Sequence, residues 1–217
     1  MKKNKQFTGK LFVFGDIHGH LWKLQELFNK LSITKKDKII FLGDYIDRGP
    51  DSKGVLDFVI DLKGKYDVVC LMGNHERFAV ESIVYKNIQM YVSWIRNGGN
   101  ACLESYAGGI EEMEESHLSF LENLDLTHET ENHIFVHGWL DDTLDAYEQR
   151  EFGCIWGRYD DINPHKSGKI VVCGHTPSRE VKNDGHKVCI DTGVCWTDGV
   201  LTAMIIDGEK TSFVTSE

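Results

Sequence analysis

A short apolar run that breaks into glycine and then into charged or imidazole side chains occurs five times along this chain, and the repetition limits the folds open to it. The runs are LFVFGDIHG (Leu11 to Gly19), IIFLGDYIDRG (Ile39 to Gly49), VVCLMGNHE (Val68 to Glu76), HIFVHG (His133 to Gly138) and IVVCGHT (Ile170 to Thr176). Each is rich in β-branched and aromatic residues and lacks apolar–polar alternation, the pattern of a strand buried on both faces. Between the first three lie HLWKLQELFNKL (His20 to Leu31) and SKGVLDFVIDLKG (Ser52 to Gly64), with apolar residues three and four apart, which predict helices. Strand, helix, strand, helix is the signature of parallel βαβ units. HERFAVESIVYKNIQMYVSWI (His75 to Ile95) predicts one further helix, and GIEEMEESHLSFLENL (Gly109 to Leu124) another with a solvated acidic face. After Ile170 the rhythm changes to HKVCIDTG, GVLTAMIID and KTSFVTS, three runs with turn residues and no helix between them, which predict antiparallel strands. The expected fold is a mixed α/β domain spanning residues 1–217, since no segment rich in Pro, Gly or Ser divides the chain.

Charge narrows the partners. With 24 Lys and Arg against 34 Asp and Glu the formal charge is −10, which argues against a nucleic-acid partner, because phosphate-backbone affinity rests on clustered basic residues. It leaves an anionic substrate open, since bound divalent cations can reverse a local field. The opening MKKNKQ is basic, but LFVF is too short for the apolar part of a signal peptide, and no apolar stretch approaches the roughly 20 residues of a membrane helix. No membrane partner and a cytoplasmic location are expected. The six cysteines are scattered, with no C-x-x-C, and read as reduced thiols.

In open α/β sheets ligands bind beyond the carboxyl ends of the strands. Here those ends carry Asp16 and His18; Asp44, Asp47 and Arg48; Asn74, His75 and Glu76; His137; and His175. Any one of them reads as ordinary turn chemistry. Ten such residues at the same structural address, five times over, point to a single site. The donors are carboxylate, imidazole and amide oxygen with no thiolate, a set suited to Mn²⁺, Fe²⁺ or Zn²⁺, and more numerous than one ion needs. Two ions about 3.5–4 Å apart sharing one carboxylate would use them, an arrangement that serves in-line displacement at phosphorus.

At this point the sequence resembles the phosphoprotein phosphatase family of the calcineurin-like metallophosphoesterase superfamily. The family blocks GDxHG, GDxxDRG and GNHE stand here as GDIHG (Gly15 to Gly19), GDYIDRG (Gly43 to Gly49) and GNHE (Gly73 to Glu76), followed by HGW (His137 to Trp139) and GHTP (Gly174 to Pro177). WIRNGGNACLESY (Trp94 to Tyr106) and IWGR (Ile155 to Arg158) resemble the small bacterial and bacteriophage branch of serine/threonine phosphatases. Where the family has HGG or HAG this chain has Trp139, a departure that touches loop shape. The resemblance implies a central β-sandwich of mixed sheets flanked by helices, with two divalent metal ions, Mn²⁺ by family habit and Fe²⁺, Zn²⁺, Ni²⁺ or Co²⁺ as alternatives. It implies that Asp16, His18 and a bridging Asp44 hold the first ion, and Asp44, Asn74, His137 and His175 the second.

Two such cations make hydroxide available near neutral pH, and in-line attack on a phosphomonoester without a phospho-enzyme is expected. His75 is the expected general acid and Asp47 the carboxylate that fixes its tautomer. Arg48 and Arg158 are expected to clamp the phosphate oxygens, and Glu76 to support its loop through backbone hydrogen bonds. The expected activity is that of a serine/threonine, or dual-specificity, protein phosphatase acting as a monomer on a phosphorylated protein or peptide. The main alternative is a symmetrical diadenosine tetraphosphate hydrolase, a group that DTGVCW (Asp191 to Trp196) also resembles. That group has an alanine-type residue at the Asp47 position and GNHD for GNHE. DTGVCW itself reads as a structural segment near the site rim.

Overall fold

The structure, a computed structural model, describes residues 8–107, 109–159 and 163–217, so the basic MKKNKQ opening lies outside the described residues. Ten strands form two five-stranded mixed sheets. The first holds β1 (Leu11–Phe14), β2 (Lys38–Phe41), β3 (Asp67–Cys70), β9 (Thr202–Asp207) and β10 (Lys210–Thr215), in the order β10-β9-β1-β2-β3. The second holds β4 (Thr127–Glu129), β5 (His133–Val136), β6 (Ile170–Cys173), β7 (Lys182–Asn183) and β8 (Lys187–Cys189), in the order β4-β5-β6-β8-β7. Strands β1, β2 and β3 run parallel, and so do β5, β6 and β8.

The non-alternating runs have a plain cause. Side chains on a strand point alternately to its two faces, and here both faces are covered. Leu11 and Val13 of β1, Ile40 of β2, Phe135 of β5 and Val172 of β6 enter the core between the sheets. Their neighbours Phe12, Phe14, Ile39, Phe41, Ile134, Val136 and Val171 pack on the outer side under the helices. Those helices include α1 (Leu21–Lys30) and α2 (Ser52–Lys65), the latter capped by Asp51, whose carboxylate accepts from Gly54 N.

Three expectations need correction. The helix predicted from His75 to Ile95 is broken: α3 covers Asn74–Ile83 and α4 covers Ile88–Trp94. Lys86 adopts φ +56°, which no helix continues through, and Asn87 accepts from Met90 N to start the second helix. The run HKVCIDTG is not wholly antiparallel. Its strand β8 pairs antiparallel with the two-residue β7 but parallel with β6 on its other edge. β9 and β10 are antiparallel as expected. Further on, the segment expected as one helix from Gly109 is a short 3-10 turn, Gly109–Glu112, followed by an α-helix at Glu115–Glu122. Among the described residues no helix is long and apolar enough to cross a membrane.

Candidate metal centre

The carboxyl ends of both parallel strand sets meet at one edge of the sandwich, and the backbone there is bent in a telling way. Among the described residues six non-glycine residues have positive φ: His18, Asp44, Asp47, Arg48, Lys86 and His175. Five of the six are sequence-predicted site residues. Left-handed backbone at a residue with a Cβ costs free energy and persists only where surrounding contacts over-determine it.

Those contacts are hydrogen bonds between the loops. The Asp44 carbonyl accepts from the N–H groups of Ile17 (3.0 Å) and His18 (2.8 Å), tying the loop after β1 to the loop after β2. Glu76, in the first turn of α3 and fully buried, accepts from four backbone donors, three of them in the loop after β2 and one at the start of its own helix. Its Oε2 accepts from Asp44 N (2.8 Å) and Gly73 N (3.0 Å), its Oε1 from Tyr45 N (2.8 Å) and Ile46 N (3.3 Å). One carboxylate thus aligns the N–H groups on either side of Asp44.

Within this frame the imidazoles have assigned tautomers. His18 Nδ1–H donates to the Ile46 carbonyl and His137 Nδ1–H to the Leu42 carbonyl, both at 3.0 Å, so each Nε2 carries a lone pair. Those lone pairs face acceptors. His18 Nε2 lies 3.4 Å from Asp44 Oδ2, and His137 Nε2 lies 3.4 Å from Asp44 Oδ1 and 3.2 Å from Asn74 Oδ1. Lone pair against carboxylate or amide oxygen is repulsive unless a positive charge sits nearby, and the Arg48 guanidinium already approaches His18 Nε2 at 2.7 Å. Ligand atoms of Asp44, His137 and His175 fall within 4.8 Å of one another, as do those of His18, Asp44 and His75. Asp44 is common to both groups, each of its oxygens facing a different histidine, and the nitrogen and oxygen donors fit borderline divalent ions. Asp16 joins from the other side, its carboxylate accepting from His175 N at 3.1 Å.

Electrostatics sort the four site histidines into two kinds. Burial pushes His18 and His137 below the ordinary imidazole value, and takes His175, beside His137, down to about 4, shifts toward the neutral form that binds a cation. His75 goes the other way. Burial opposes its charge, but the Asp44 and Asp47 carboxylates outweigh that and raise it. Burial likewise opposes the charge on Asp44, yet His137, His75, His18 and His175 around it hold its carboxyl well below the usual range. Burial, Asp191 and Asp44 push Asp16 well above that range. Environments that drive like groups apart divide acids from bases and ligands.

His75 Nδ1 bonds Asp47 Oδ2 at 2.6 Å, with both side chains fully buried, and His75 Nε2 has no hydrogen-bond partner. The same Asp47 oxygen accepts from Trp94 Nε1 at 2.8 Å. Sequence reasoning missed Trp94 because a large ring at the end of an amphipathic helix reads as core, and by burial it is core. Trp94→Phe keeps most of the ring and removes the N–H; it is expected to cost about 1–2 kcal/mol in thermal unfolding, and an unchanged melt would mean the bond has no net weight.

The family model for the calcineurin-like phosphoesterases matches residues 9–201. The chain belongs to that family. A curated Caenorhabditis elegans protein, provisionally named a serine/threonine-protein phosphatase, is 40% identical over 73 residues, a match that spans 33% of this chain and 20% of that protein. A crystal structure provisionally described as a diadenosine tetraphosphatase superposes with a TM-score of 0.73 at 19% identity, covering 98% of this chain and 96% of that one. A Saccharomyces cerevisiae serine/threonine phosphatase superposes with a TM-score of 0.70 at 16% identity, covering 99% of this chain and 81% of that one. At these identities the structural likeness shows the fold.

In this phosphoesterase the site opens into a cavity of about 240 Å³ lined by Asp16, Asp44, Arg48, Asn74, Arg158 and His175, together with Asn97, Trp156, Pro177 and Asp191. Of the sequence-predicted residues, His18, Asp47, His75 and His137 are not in this lining: His18 and His137 touch it through Asp44, His75 through its N–H to Asp44 Oδ1 at 3.2 Å, and Asp47 through His75. Trp139, where the family has HGG or HAG, is not among the cavity-lining residues, and its ring lies against the Lys187 ammonium. Asn97 and Asp191 carried no expected role. The signal for Asn97 was WIRNGG itself, whose Gly98 carbonyl accepts from Arg48 N at 3.1 Å and whose turn packs against the Arg48 side chain.

Proposed function

We propose that this phosphoesterase is a protein phosphatase that hydrolyses phosphoserine or phosphothreonine esters, with manganese as its ion pair. The observation that carries the reading is the buried Asp47–His75 pair, whose free Nε2 belongs to the same cluster as His18 and Asp44. Cleaving an alkyl phosphate expels an alkoxide, a poor leaving group that needs a proton as the bond breaks. His75 Nε2 would deliver it, and Asp47, bonded to Nδ1, would hold the ring in the orientation and charge state to do so.

Divalent cations held by Asp16, His18, Asp44, Asn74, His137 and His175 would supply Lewis acidity and a nucleophile from water. Arg48 and Arg158, the two guanidiniums lining the cavity, would bind the phosphate oxygens in bidentate fashion and stabilise charge as it moves to them. The Arg48 guanidinium, now against His18 Nε2, would give up that nitrogen to the cation and turn to the phosphate. A cavity of about 240 Å³ accommodates a phosphoryl group and the side chain that bears it. A dinucleoside tetraphosphate would extend far beyond.

Diadenosine tetraphosphate hydrolysis is the second reading, favoured by the near-equal length of the structural neighbour described by that activity. Turnover of a phosphoserine peptide and of diadenosine tetraphosphate, measured side by side with Mn²⁺, tests the choice. Faster turnover of the peptide is expected, and a strong preference for the dinucleotide would overturn the proposal.

A further inference from the structure

Six strand ends reach the site. The sixth belongs to β8, whose parallel pairing with β6 through Val171↔Lys187, Val172↔Val188 and Cys173↔Cys189 carries the chain to Asp191 at the same edge where β6 delivers His175. Asp191 is buried, lines the site cavity, and has Oδ1 fixed by Gly193 N–H at 3.0 Å. Its carboxyl lies against that of Asp16, with Asp44 the next carboxylate and Arg48 the near cation. Two carboxyl groups set together away from water need a proton or a cation between them, and a cation-binding cavity opens on this pair. The Gly193 bond accounts for one oxygen of Asp191 and leaves the carboxyl's remaining valence to its contact with Asp16.

We propose that Asp191 is a further ligand of the first cation, completing a set of Asp16, His18, Asp44 and Asp191; the proposal rests on the two-cation reading of the site. The family pattern gives the first ion three protein ligands and the second four. A further carboxylate brings the first site to four donors, three of them anionic oxygens, and makes it the harder of the two. Nearby, His75 Nε2 is an unpartnered polar atom on a fully buried side chain in the cluster with His18 and Asp44, a second sign that this side of the site is built around a ligand.

The alternative is that Asp191 only caps the turn at Gly193, and the two roles predict opposite behaviour in Asp191→Asn. Asparagine keeps the acceptor for Gly193 N–H and removes the charge. If Asp191 holds a cation, the metal-free variant still melts cooperatively, with the turn at Gly193 kept. Its calorimetric titration with Mn²⁺ then shows one of two sites weakened by about 10-fold or more, the other unchanged. If Asp191 is only a turn cap, the variant's Mn²⁺ titration coincides with wild type, which overturns the proposal while wild type still binds two ions. A wild-type protein that binds fewer than two ions would overturn the two-cation reading, and the proposal with it.

Discussion

His75→Asn is expected to hydrolyse a phosphoserine peptide about 10²–10⁴-fold more slowly than wild type while still binding Mn²⁺, the range that a positioned general acid contributes. The structural reason is the division of labour at Asn74 and His75. Asn74 Oδ1 faces His137 Nε2 among the cation donors, whereas His75 spends Nδ1 on Asp47 and keeps Nε2 free. The substrate's leaving group separates acid catalysis from a general disturbance of the site. An alkoxide needs the proton; a nitrophenolate leaves without it. Loss on nitrophenyl phosphate should therefore be much smaller than loss on the peptide, and equal losses on both would sink the acid assignment. Calorimetry with Mn²⁺ on the same variant checks that the cation sites survive.

The parallel core was legible because its strands are buried on both faces, which leaves non-alternating apolar runs that no exposed strand would carry. The site was legible for a related reason: each strand breaks directly into its polar residues, so chain order already places Asp16, Asp44, Asn74, His137 and His175 at one edge. What was illegible depended on partners distant in sequence. The Asp184–Gly185 turn marks β7 and β8 as a hairpin, and that antiparallel edge is present. The other edge of β8, parallel to β6, is set by sheet order and left no local sign, so Asp191 passed for a rim residue. The break at Lys86 was hidden because apolar spacing continues through it; only Asn87, which caps α4, hinted at a new start. Glu76 was assigned to loop support from its place at the head of a helix, but the sequence could not say which N–H groups it binds.

That last contact makes Glu76→Gln the most damaging conservative change in the site for stability. Both oxygens of Glu76 accept, each from two backbone N–H groups, and glutamine must turn an NH₂ toward one of those pairs. Whichever way the amide lies, two buried N–H donors lose their acceptor at about 1–3 kcal/mol each, so a total near 3 kcal/mol or more is expected. Burial and the nearby Asp44 push the Glu76 carboxyl up to about 8, so loss of its charge works the other way, but the four N–H donors set around its two oxygens fit an acceptor-only carboxylate, which limits that relief. For a chain of this size about 3 kcal/mol corresponds to a melting temperature lower by roughly 6–12 °C. The change should also weaken Mn²⁺ binding, because the N–H groups flanking Asp44 are what hold its carboxylate, at positive φ, between His18 and His137. Thermal unfolding in the metal-free state reads the first effect and calorimetry the second. A melt within a degree of wild type would mean that the left-handed turn at Asp44 holds without its carboxylate brace.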